Sequence, residues 1–458
     1  MPVPRYLNLA IVTILFLWPT AAADAQAEGP TYVVQEGDTL FGIAFIFGST
    51  VNEVAAANGI ENPSAIFPGQ ELVIPGLEGI QGSLRFEVLE FGETLTSRAL
   101  RHGLPLDQLV QLNRVLLPQR FPAGQRVVLV EPEAPELPLP TAQRVMAARG
   151  DSLLELSARL NSDPWSIQAY NRLGARRWSV AVEMLYAPGG DSPTTALPPE
   201  LDAVEVGPLP SVQGQVVVIQ VTAPEGTQVS GRLGPWNLNL VERAPGDFVA
   251  LQGVHALSEP GLLELEIGQL SGSMFSQPIE LVEGDYGRAA LQVPPETLDP
   301  EITGPEDELI GRVVGQITPE RLWEGVFAFP GSYYETFTSF FGTRRSYNGS
   351  EFIYYHTGLD LYGSSTTPVL APAFGRVAFA DNLTVRGNAT YLDHGGGVYS
   401  GFLHQSQILV QVGDPVVQGQ IIGYVGDTGR VTGPHLHWEV WVGGVPVDPL
   451  LWTRTPFP

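Results

Sequence analysis

The chain has 458 residues, with 24 basic and 49 acidic side chains and a formal net charge of −25. That length predicts about three domains, and the acidity excludes nucleic acid as the main partner, because neutralising phosphates takes basic patches. With no cysteine there can be no disulfide scaffold, iron–sulfur cluster or thiolate zinc site. Any transition metal must therefore be held by carboxylates and the seven histidines.

Met1–Ala27 reads as a secretory leader. Arg5 supplies the basic start, Leu7–Trp18 the apolar stretch, and Ala21–Ala27 several small-residue cleavage positions. The apolar stretch is too short for a membrane span, and no later segment is apolar enough. The expectation is a cleaved leader, no transmembrane segment in the mature chain, and export to the cell envelope or cell wall.

Three repeats follow. Gly37-Asp38-Thr39-Leu40 recurs as Gly92-Glu93-Thr94-Leu95 and as Gly150-Asp151-Ser152-Leu153, and each Gly has an Asn 21 residues later: Asn58, Asn113 and Asn171. Tyr32-Val33-Val34 predicts a strand. Asp38 or Thr39 can cap a first helix. Val51–Ala57 predicts a second helix stopping near Asn58-Gly59, and Leu72-Val73-Ile74 a returning strand. These residues resemble the LysM module, a βααβ fold that binds N-acetylglucosamine-containing glycans such as peptidoglycan. The resemblance covers 31–76 and 85–131, and in degenerate form 143–189. It implies that Asp38, Thr39, Leu40 and Asn58 lie at a glycan groove.

Residues 190–209 read as a Pro-rich linker. Short alternating segments between 210 and 285, such as Gln215–Val221 and Gly261–Ile267, predict an all-β immunoglobulin-like sandwich acting as a spacer. His255 there reads as structural. Residues 286–321 read as an acidic Pro-rich linker with a short helix over Glu306–Val314.

Five of the seven histidines lie in the last domain, 322–458. His435-Leu436-His437-Trp438-Glu439-Val440 alternates like a strand, which places His435 and His437 on one face. Together with His356-Thr357-Gly358-Leu359-Asp360 it supplies a His, Asp, His set able to hold a catalytic zinc with one position left for water. His394, in a turn before Gly395, reads as structural. The ordered blocks Phe341-Gly342-Thr343-Arg344, His356–Asp360, Gly375-Arg376-Val377, Gly401-Phe402-Leu403-His404, Gly423–Gly429 and Gly433–His437 resemble the lysostaphin-type (LytM) zinc endopeptidases of bacterial cell walls. The resemblance implies a mainly antiparallel β domain. It implies Zn2+ on His356, Asp360 and His437, and His404 and His435 as the general base and the stabiliser of the tetrahedral intermediate. Peptidoglycan, as glycan strand and cross-link peptide, becomes the expected partner. The competing expectation is a non-enzymatic wall adaptor or activator of wall hydrolases.

Overall fold

The computed structural model describes residues 29–458 except 78, 117–120, 132–141, 148–149, 172, 174–182, 191–194, 271 and 332–336. The leader expected at 1–27 lies outside the described residues. Among them, no single helix is long and apolar enough to cross a membrane. The chain divides into two compact units, Met1–Arg85 with Val130–Glu133, and Phe86–Leu129 with Ala134–Pro458.

In the first unit the strand Thr31–Val33 pairs antiparallel with Glu71–Val73, and the helices Leu40–Phe47 and Val51–Ala57 lie between them in sequence. Thr39 caps the first helix by accepting from Gly42 N. Thr50 and Glu53 form a reciprocal capping box on the second. Tyr32, Leu40, Ile43, Phe47, Val54, Leu72 and Ile74 are buried and make the core. The structure explains the 21-residue Gly–Asn interval. Asn58 Nδ2 donates to Val54 O and Val73 O, and its Oδ1 accepts from Val73 N. One amide thus ties the end of the second helix to the returning strand.

The same three bonds recur in the second unit. Asn113 binds Leu109 and Val128, and Asn171 binds Ile167 and Tyr186. The third repeat pairs Ala142–Ala147 with Glu183–Pro188 across the helices Leu153–Arg159 and Pro164–Tyr170. The second repeat turns inward. Gln277 accepts from Gly92 N and donates to Glu93 O and Phe121 O, while Phe91 packs on Phe275 at 5.3 Å.

Gln277 belongs to a domain of two sheets that share one apolar core, including Val217, Ile219, Leu265, Ile267 and Ile279. One of its strands, Ala203–Gly207, lies in the stretch expected as a linker at 190–209. Flanking prolines hid its alternation. The stretch 286–321 is likewise built into the fold. Arg288–Leu291 pairs parallel with Arg344–Tyr347, and a 15-residue helix runs Pro300–Val314. That helix begins six residues before the expected Glu306, because Asp299 caps it by accepting from Glu301 N and Pro300 suits its first turn.

The C-terminal domain is an antiparallel sheet in the order Phe337–Ser339, Leu359–Tyr362, His435–Val442, Val398–Gln405, Gly387–Asp393, Gly375–Leu383, Pro415–Val416. Strand alternation divides its side chains. Leu359, Leu361, Leu436, Trp438, Val440 and Phe402 face a core with Trp323 and Trp452. Tyr391, Tyr399 and Leu403 face the other way, where Ile310 and Val314 of the helix Pro300–Val314 cover them. At roughly 1.5–3 kcal/mol for each fully buried large apolar side chain, both faces contribute to holding the sheet.

Candidate metal centre and active site

Asp360 pairs across the sheet with His437, so adjacent strands place these two side chains side by side. His356 ends the loop that leads into the strand Leu359–Tyr362. Its Nε2 lies 2.9 Å from Asp360 Oδ1 and 2.9 Å from His437 Nδ1, and His437 Nδ1 is 2.7 Å from Asp360 Oδ1. All three residues are buried. The outer ring nitrogens fix the tautomers. His356 Nδ1 donates to Phe340 O at 2.9 Å, and His437 Nε2 donates to Glu439 Oε1 at 3.2 Å. That turns two nitrogen lone pairs and a carboxylate oxygen toward one point. Three converging acceptors repel unless a cation or a proton sits among them, and this donor set suits zinc.

Burial opposes charge on His437, but its bonds to Asp360 and Glu439 outweigh burial and raise it to about 9. Burial pushes His356 down to about 4. Burial disfavours the charged form of Asp360 as well, yet His356 and His437 hold it well below its ordinary value.

His404 and His435 stand over this triangle. Their rings are 5.2 Å apart, and His404 lies 6.0 Å from His437. His435 Nε2 is 3.6 Å from Asp360 Oδ1. His404 Nδ1 donates to Thr428 O and His435 Nδ1 to Gly433 O, each at 2.8 Å. Both rings therefore keep an Nε2 lone pair for the site. Burial first, then the charges of His437 and His435, lowers His404 to about 3 and keeps it neutral near pH 7. His404 has φ +65°. Its neighbour Leu403 pairs with His437, so regular alternation would send His404 to the opposite, Phe402 face. The left-handed backbone turns it back, at a cost of about 1–3 kcal/mol.

A second layer was not expected from the sequence. Glu439 is buried and accepts from Thr357 Oγ1 at 2.6 Å, Trp441 Nε1 at 2.8 Å and Tyr391 OH at 3.0 Å, besides His437. Burial opposes its charge, but His437 lowers it to about 2. Tyr391 reaches it across Gly401, where an added Cβ would sit 2.6 Å from the ring. Glu439 continues the period-two pattern of His435 and His437, and that signal could have revealed it. Arg345 Nη2 lies 3.5 Å from Asp360 Oδ2.

The remaining polar residues have structural partners. His394 is fully buried, donating to Phe374 O and paired with Ser400 Oγ. Leu257 N donates to His255 Nδ1, so His255 Nε2–H faces Tyr355 OH at 3.2 Å. Asn348, in the loop before the metal motif, is taken up by both backbone groups of Val293. In the first module Asp38 accepts from Tyr32 OH and Gln35 N, Thr39 is the helix cap, Leu40 is buried, and Asn58 spends its amide on backbone.

Two histidines and an aspartate converge on one point with two further histidines beside them on an antiparallel sheet, an arrangement able to hold a metal ion. Residues 354–449 match peptidase family M23 and residues 32–75 match the LysM domain, so the chain carries an M23 peptidase domain and a LysM domain. Among relatives, it is 40% identical over 111 residues to the peptidoglycan DD-endopeptidase ShyA of Vibrio cholerae, covering 24% of this chain and 26% of that one. It is 42% identical over 95 residues to the DD-carboxypeptidase/endopeptidase Mpg of Neisseria meningitidis, covering 21% and 22%. The alignments thus span about a quarter of the length of these relatives. A solved M23 peptidase from Pseudomonas aeruginosa is 24% identical with a TM-score of 0.39, over 53% of this chain and 95% of that one.

Proposed function

We propose that the protein is an exported zinc endopeptidase that hydrolyses peptide cross-links of peptidoglycan, held to wall glycan by its LysM module. The observation that carries this reading is the tautomer pattern. Four histidines each have one ring nitrogen committed to a fixed partner and the other aimed at a single site. His356, Asp360 and His437 would hold Zn2+. Zinc bound there supplies a Lewis acid and lowers the pKa of a water toward about 7. Of His404 and His435, one takes the proton from the attacking water at its Nε2, and the other, only once it carries a proton at its own Nε2, can donate to the developing oxyanion. Glu439 keeps His437 in the tautomer that presents Nδ1. In the first module, Leu40 and Asn58 shape the groove from within, while Asp38 and Thr39 form its turn. The two-sheet domain, read as immunoglobulin-like, is a spacer that also braces the peptidase loops through the Tyr355 and Arg344 contacts.

Digesting purified peptidoglycan with the full-length protein and weighing the products by mass spectrometry tests this. Cross-linked dimers should fall to monomers, and the masses identify the bond. His356→Ala should abolish zinc binding and cleavage while leaving wall pull-down intact. Intact dimers after incubation with the zinc-loaded protein would leave a non-enzymatic wall adaptor as the better reading.

A further inference from the structure

The helix Pro300–Val314 lies outside the residues matched to the peptidase family, yet it enters the active-site framework. Glu306, Ile310 and Val314 are spaced by four and share its buried face. Ile310 and Val314 pack with Leu403, the neighbour of His404. Glu306 is only 7% exposed, and burying its carboxylate is unfavourable unless its oxygens are bonded. The structure bonds them to one short segment between strands. Val385 N donates at 2.8 Å and Arg386 N at 3.4 Å, and the Arg386 guanidinium lies 3.5 Å from Glu306 and 2.8 Å from Asp307.

That segment in turn holds His404. The His404 amide donates to Arg386 O at 3.0 Å. Thr428, whose carbonyl receives His404 Nδ1, accepts at its hydroxyl from Asn388 N and donates to Gln405 O. His404 sits in a left-handed conformation that its own strand does not favour, so it depends on these outside bonds. We propose that Glu306 is a positioning residue for His404, fixing the Val385–Arg386 backbone so that its carbonyl keeps the imidazole turned into the site.

The inference rests on the reading that His404 acts in hydrolysis, so the test includes a measurement independent of activity. In the full-length zinc-loaded protein, hydrogen exchange at the His404 amide and kcat and KM on a soluble cross-linked muropeptide dimer are compared for wild type, Glu306→Ala, Glu306→Gln and Ile310→Ala. Glu306→Ala should expose the His404 amide and lower kcat roughly 10–100-fold, the usual loss for an outer partner of an active-site group, with KM and zinc content unchanged. Glu306→Gln keeps an acceptor for Val385 N and should recover part of both losses. Ile310→Ala should lower Tm but retain kcat and His404 protection. Unchanged exchange or unchanged kcat in Glu306→Ala overturns the proposal, as does an equal loss of kcat in Ile310→Ala. If wild type cuts no dimer, exchange alone decides. Protection lost in Glu306→Ala would uphold the brace and count against the hydrolase reading, whereas protection kept would overturn the brace.

Discussion

Each imidazole of the centre is specified by what lies behind it. The partners are Phe340 O for His356, Glu439 for His437, Thr428 O for His404 and Gly433 O for His435. Three are carbonyls and one is a charged side chain, with the Ser339 hydroxyl also 3.1 Å from His356 Nδ1, so Glu439 is the charged partner a substitution can change. Glu439→Gln should weaken zinc binding about 10–100-fold, measured by competition with a chelator. Equal affinity in the two proteins would show that the tautomer of His437 is set elsewhere. At this scale the convergence of His356, Asp360 and His437 was legible, because H-x-x-x-D and H-x-H carry their own geometry once placed on strands. The carbonyl partners were not, since every residue has one and only the fold selects among them. Nor was the side from which His404 enters, because a positive φ reverses what alternation predicts.

Among the elements, the Asn of each repeat shows how far spacing can be read. The 21-residue interval was visible, but its cause, a carboxamide joining a helix end to a strand, needed the pairing that only the structure supplies. The helix Pro300–Val314 was legible as a helix from Glu306 onward but not as the partner of Val385 and Arg386, since these lie some 80 residues away. The turn at His394 supports a prediction about pH. Its ring bridges Phe374 O and Ser400 Oγ, and burial lowers it from 6.5 to about 4. The unfolded chain binds this proton more readily than the folded one, so the contribution is fully present above about pH 6.5 and is lost as pH falls toward 4. It amounts to something on the order of 3 kcal/mol. Thermal melts from pH 7 to 4 should show a steep fall in Tm for wild type and a shallower one for His394→Gln. Parallel curves would assign the acid sensitivity to other groups.

Over the whole molecule, acidity and chemistry are separated. Residues 322–458 hold 6 Arg and 10 acidic residues, so most of the charge of −25 lies in the residues before that domain. The division of labour predicts that removing residues 29–76 leaves cleavage of soluble dimers within about twofold, because no group of the centre lies there, while co-sedimentation with insoluble wall falls steeply as tethering is lost. Retained co-sedimentation would place the anchoring elsewhere in the chain.

The grip of Gln277 on the Gly92-Glu93 turn bears on how such a protein would travel. In the first module, at the matching turn, Asp38 accepts from Tyr32 OH and Gln35 N. In the second the turn is already held by the two-sheet domain. Two simultaneous holds on a strand can multiply residence by about 10²–10⁴, and a molecule with one of its turns spoken for forgoes that gain. Any hold of such a molecule on glycan would then rest on its first module.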